Sequence, residues 1–269
     1  MNNYFSKISL LVLITGLFNF TFASSLEETF TKKIPSENIS SISVFNQNGS
    51  IEVESWTEDQ IEIVAYKKVR AGSREKAEKL MEYLEIEIDQ SGDNLRIETI
   101  PPRKNKEDDS GFLSWLFSLG DHGGASVDYV IKVPQKMDLE LNSTNGGLNV
   151  DDCEGRIDLK TTNGKIVAEN IKGSTNCKTT NGSIKVYLDK VYPKEDMTFK
   201  STNGSIKVYL PRDINADVEA KTTNGSIDCD LPVKGERSKS KHHYYGEIND
   251  GGSLIYLKTT NGSIGIYEI

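Results

Sequence analysis

The heptapeptide KTTNGSI occurs three times without a change, at residues 178–184, 221–227 and 258–264. Around it an Asn-Gly pair recurs at Asn145, Asn163, Asn181, Asn203, Asn224 and Asn261, spaced 18, 18, 22, 21 and 37 residues apart, with an earlier copy at Asn48. A near-constant period of this length marks a repeat architecture. Four residues before each Asn stand Val44, Leu141, Leu159, Cys177, Phe199, Ala220 and Leu257. Three after it stand Ile51, Leu148, Ile166, Ile184, Ile206, Ile227 and Ile264, and five after it Val53, Val150, Ala168, Val186, Val208, Cys229 and Ile266. Each turn therefore joins two strands whose apolar residues alternate with polar ones. One such unit buries too little apolar surface to stand alone, whereas stacked units share a continuous core.

Asn followed by Gly supplies two residues that tolerate positive φ, as a sharp reversal between strands demands. The same pair marks a tight hairpin, so an antiparallel meander is the rival architecture. A constant period with identical corner residues favours an all-β solenoid, in which Thr, Asn and Ile stack on their own copies one rung apart. The 37-residue gap is close to two periods and predicts a coil that has lost its NG turn and carries KGERSKSKHHYYGEINDGG instead. The chain ends inside a strand at IGIYEI, which makes the terminal coil an expected open edge.

The opening NGSIEVESW, the mid-chain VDYVIKVP, the repeated TTNGSI and the closing GEINDGGSLIYLKTTNGSIGIYEI resemble the bacterial putative-adhesin family of unknown function built from TNG-type repeats. The resemblance spans nearly the whole mature chain. It implies a right-handed β-solenoid with an adhesive role and brings no catalytic residues to carry over.

Before the repeats the chain is organised differently. Lys7, the apolar run ISLLVLITGLF and the small residues Thr21 and Ala23 read as an export signal, residues 1–23, cleaved after Ala23; an uncleaved membrane anchor is the other reading. Residues 24–136 then form an N-terminal coil with a helix and a loop insertion, and residues 137–269 the TNG-repeat solenoid continuing the same domain. SREKAEKLMEYLE places Ala77, Leu80, Met81 and Leu84 on one helical face behind Ser73 as N-cap, so one short helix is expected over the N-terminal end of the stack. IEIEIDQSGDNLRIETI reads as two strands around a turn.

The chain carries a net charge of −8, and losing the signal removes one lysine and no acid. Nucleic acid is therefore not an expected partner. No nucleophile elbow, phosphate loop, HExxH or EF-hand spacing is present, and no cofactor or metal is expected; His242 and His243 read as part of a solvated loop. Cys153, Cys177 and Cys229 fall on inward positions, with Cys177 and Cys229 two rungs apart, and free thiols are expected.

Three outward features are candidate contact sites. Lys160, Lys178, Lys200, Lys221 and Lys258 stand three residues before their Asn and would line up cations along an anionic polymer; a plain solvated face is the other reading. Tyr187 and Tyr209, with Tyr267, form a second column that could stack on sugar rings or serve simply as strand residues. Phe112, Leu113, Trp115, Leu116 and Phe117 crowd together in GFLSWLFSLG, either as a lid over the solenoid mouth or as a contact with a membrane surface or a protein. The sequence thus points to an exported, non-enzymatic binding or adhesion module in the periplasm, on the cell surface or secreted, with an anionic polymer, glycan or envelope protein as partner. The alternatives are a periplasmic scaffold or envelope-stress component, and a carbohydrate-active β-helix enzyme.

Overall fold

A computed structural model describes residues 25–100 and 124–269, with the backbone alone for 235–239. The export signal and the apolar GFLSWLFSLG segment, with Phe112, Leu113, Trp115, Leu116 and Phe117, lie outside the described residues.

The described residues open with β1 (Ser25–Pro35), the first coil β2 (Ser41–Asn48) and β3 (Ile51–Trp56), and the long β4 (Gln60–Arg70). Helix α1 (Arg74–Tyr83), the hairpin β5 (Glu85–Ser91) and β6 (Asn94–Ile100), and β7 (Gly124–Pro134) follow. The repeats run through β8 (Asp138–Asn145), β9 (Leu148–Asp151), β10 (Glu154–Lys160), β11 (Ile166–Lys178), β12 (Ile184–Val191), β13 (Met197–Lys200), β14 (Ile206–Leu210), β15 (Ala216–Asn224) and β16 (Ile227–Cys229). A hairpin of β17 (Val233–Lys239) and β18 (His243–Ile248) precedes the last coil, β19 (Ser253–Asn261) and β20 (Ile264–Glu268).

Within a coil the two strands do not pair with each other. They pair in parallel with the equivalent strands of neighbouring coils, which excludes the hairpin meander for the repeats. The first column of strands runs β6, β2, β8, β10, β11, β13, β19, β15, and the second β7, β3, β9, β11, β12, β14, β20, β16. Strand β11 serves both columns, changing from one to the other through a register shift near Asn170, whose φ is 56°. The result is an all-β, solenoid-like stack with one helix, its core between the two columns. Val44, Leu141, Leu159, Phe199 and Leu257 fill that core from one side and Ile51, Leu148, Ile166, Ile184, Ile206 and Ile264 from the other, all buried, as the register requires.

Antiparallel strands close both ends. At the start β5 pairs with β6, and β4 pairs with β7 and then β1, with Ala77, Leu80 and Met81 of α1 buried against this part of the stack. Ser73 caps the helix, accepting the Lys76 N–H at 3.3 Å, as the sequence predicts. At the far end β18 lies antiparallel to β15, and β17 to β18.

This far end corrects two expectations. The 37-residue gap holds no degenerate coil, because its residues form the capping hairpin. The terminal coil is no open edge either: β19 lies between β13 and β15, and β20 between β14 and β16. The rungs therefore follow the order Asn48, Asn145, Asn163, Asn181, Asn203, Asn261, Asn224. By this order Cys177 and Cys229 are three rungs apart rather than two, on opposite columns. All three cysteines are free.

The NG corner is built differently from the reason first given for it. None of its asparagines has positive φ, and among its glycines Gly49 alone does. What demands glycine is the approach of successive rungs: a Cβ on Gly164 would stand 1.9 Å from the Gly146 carbonyl oxygen, one on Gly182 1.9 Å from that of Gly164, and one on Gly204 1.9 Å from that of Gly182. The asparagine side chains form a continuous ladder, each Nδ2 donating to the Oδ1 one rung earlier at 2.7–2.8 Å from Asn145 through Asn261, with Asn224 donating to Asn261 at 2.8 Å. Beneath it, Thr161, Thr179, Thr222 and Thr259 each donate a buried hydroxyl to a glycine carbonyl of the adjoining rung at 2.8–3.0 Å. Every letter of TTNG except the exposed second threonine thus has a structural task.

Candidate binding face

The first column positions the lysine row. Lys160 is opposite Lys178, Lys178 opposite Lys200, Lys200 opposite Lys258, and Lys258 opposite Lys221. The structure brings the five predicted lysines together on consecutive rungs, in rung order rather than chain order. A rung adds about 4.8 Å, so two neighbouring ammonium groups held at that spacing repel by roughly 1 kcal/mol in water.

Among the described residues, an acidic partner relieves this only at the far end. There Lys221 Nζ meets Glu219 Oε1 at 2.5 Å, and His243 Nε2 lies 3.4 Å from the same carboxylate. The Lys221 hydrogen bond holds the Glu219 carboxyl below its ordinary range, with His243 a lesser cause, and Glu219 in turn raises Lys221. Lys160, Lys178, Lys200 and Lys258 have no acidic partner among the described residues. The acids of the adjoining row are engaged elsewhere: Asp158 accepts the Asn176 amide at 2.9 Å and Glu140 that of Asn142 at 3.0 Å. One aromatic ring interrupts the row, as Lys200 and Lys221 sit 5.3 and 5.8 Å from the centroid of Tyr256.

A family model matches residues 13–267, nearly the whole chain. The chain belongs to the Toastrack DUF4097 family. It is also similar to a solved structure, a putative cell adhesion protein from Clostridium sporogenes, at 14% identity over 91% of this chain and 100% of that one, with a TM-score of 0.50. A putative adhesin from Bacteroides fragilis (11% identity, 90% and 97% covered, TM-score 0.39) and a putative lipid binding protein from Parabacteroides distasonis (12%, 90% and 96%, 0.31) are similar at lower scores. No curated protein matches the sequence.

In this Toastrack chain the tyrosine column faces outward from the second column of strands, on the other side of the NG corner from the lysine row. Tyr187 and Tyr209 stack with centroids 4.1 Å apart and planes 8° from parallel, and Tyr267 continues the row at 5.2 Å and 37°. The ring faces are thereby used on one another, and Lys185 Nζ lies 4.6 Å from the Tyr187 ring centroid. This arrangement removes the faces that a sugar ring would stack on, so Tyr187 and Tyr209 act as a self-stacked ladder. Burial also raises the Tyr209 and Tyr267 hydroxyls above their ordinary range.

His243 belongs to strand β18 rather than to a solvated loop, and Tyr244 beside it is buried. Burial pushes the Cys153 thiol up to about 12 and raises Cys177 and Cys229 as well, which makes all three poor nucleophiles at neutral pH. Sequence reasoning missed a second group of cations, Lys165, Lys185 and Lys207. The signal was present in IKVYL, repeated at residues 184–188 and 206–210, which puts a lysine two residues before each tyrosine on the same strand face.

Proposed function

We propose that this chain is an exported, non-enzymatic binding module that holds an extended anionic polymer, such as an acidic glycan, along the lysine row. The observation that carries this is four lysines on four consecutive rungs without an acidic partner among the described residues. A row of cations rooted at a fixed backbone spacing is unfavourable for the protein alone and becomes favourable when a polyanion displaces its counterions. The export signal ending at Ala23 and the cell-adhesion name of the Clostridium sporogenes protein, similar in fold, agree with an adhesive role in the cell envelope. On this reading the fold is a right-handed β-solenoid whose length sets the length of polymer contacted.

Purified mature chain passed over immobilised acidic and neutral polysaccharides tests the reading. Retention on the acidic matrices, elution by salt and no shortening of the polymer are expected, and protease should remove the protein from intact cells while a periplasmic control stays protected. Equal retention on neutral matrices, or depolymerisation, would overturn it; protection from protease would remove the surface role.

A further inference from the structure

The second column of strands carries a cation cluster of a different shape from the lysine row. Lys165, Lys185 and Lys207 stand on three adjacent rungs, with Lys185 directly opposite Lys207. Between them lies a cavity of about 230 Å³, lined also by Ser183, Ser205 and Tyr209. Lys165 and Lys207 have no acidic partner among the described residues, while Lys185 reaches Glu169 at 3.2 Å. The Ser205 hydroxyl oxygen accepts the Ser263 N–H at 3.4 Å, and as an acceptor there it retains its own proton as a donor.

The cluster has ends, and those ends select the ligand. One rung further along, Gly265 replaces lysine opposite Lys207. The Tyr267 ring occupies the space that a side chain at Gly265 would take, since a Cβ there would meet the Tyr267 hydroxyl at 2.3 Å. The rung beyond carries Asp228 opposite Gly265, followed by Asp230. On the Lys165 rung Glu169 pairs with Lys185 at 3.2 Å. A polyanion running along this column would meet Asp228 and Asp230 beyond Gly265, whereas a single compact anion would stay among the three lysines, of which Lys185 is shared with Glu169.

We propose that Lys165, Lys185, Lys207, Ser183, Ser205 and Tyr209 form a binding site for one tetrahedral oxyanion, carried as a sulfate or phosphate ester group. Three ammonium groups around hydroxyl donors match the charge and the several acceptor oxygens of such a group. Of the self-stacked tyrosines, Tyr209 lines the cavity. The site is independent of the lysine row on the first column and does not rest on its function.

The test is titration calorimetry of the mature chain with glucose 6-sulfate, glucose 6-phosphate and unmodified glucose at low salt. Saturable binding of at least one ester and none of glucose is expected. A preference between the two esters would identify which kind of ester the natural ligand bears. In Lys165→Ser with Lys207→Ser, both substitutions at exposed positions, affinity should fall at least tenfold with the unfolding midpoint unchanged. Lys178→Glu with Lys200→Glu on the other column should leave ester binding as it was. Absence of saturable binding by both esters, binding of glucose equal to theirs, or an equal loss in the two double variants would overturn the proposal.

Discussion

The asparagine row and the lysine row are both repeated on successive rungs, yet the physical reasons for their repetition are opposite. Asn145 to Asn261 and Asn224 are joined by a hydrogen bond at every step, and beneath them the glycines admit no side chain because the adjoining carbonyl is within 2 Å or little more of any added Cβ. Lys160, Lys178, Lys200 and Lys258 pair with nothing acidic among the described residues and bring like charges together. Repetition that stabilises the stack needs no further explanation. Repetition that works against it points to something outside the chain.

The contrast can be broken at the corner first. Gly182→Ala drives a methyl group into the Gly164 carbonyl 1.9 Å away, a backbone contact that no rotamer relieves. The rungs must separate locally, and a loss of about 3 kcal/mol is expected from chemical unfolding. A loss under about 1 kcal/mol would mean that the stack yields at this corner. Asn181→Ala is the milder version. It removes the bonds to Asn163 at 2.7 Å and from Asn203 at 2.8 Å, but water can replace them at this exposed edge, so about 1 kcal/mol is expected from the same measurement. Unchanged stability would reduce the ladder to a by-product of the backbone spacing.

Much of this was readable from residue order. Positions four before and three and five after each Asn predicted the buried rows, because a strand's side chains alternate faces and each coil must contribute to one core. The same register predicted the lysine row. Rung order was hidden for the reason that makes the repeat work: KTTNGSI at 221–227 and at 258–264 present identical corners, so either copy fits beside Asn203, and no residue in them says which does. The order is set by the β17–β18 hairpin, which caps β15 on one side and sends β19 back to its other side. The role of the corner glycines was also hidden, since a close approach between rungs leaves no mark in the sequence distinct from a turn that needs positive φ. Lys185 and Lys207 were legible in IKVYL, but their meaning depended on Lys165, Gly265 and Glu169 in neighbouring rungs.

The most direct measurement of the central claim is the affinity of the mature chain for a soluble acidic polysaccharide as a function of salt, beside that of Lys178→Glu with Lys200→Glu. Binding that weakens linearly on a logarithmic scale as salt rises, with the double variant losing affinity by a factor of ten or more and keeping its unfolding free energy within about 0.5 kcal/mol of the parent, is what the lysine row predicts. Equal affinity and equal salt dependence in the two proteins would contradict it and return the row to the status of a solvated face.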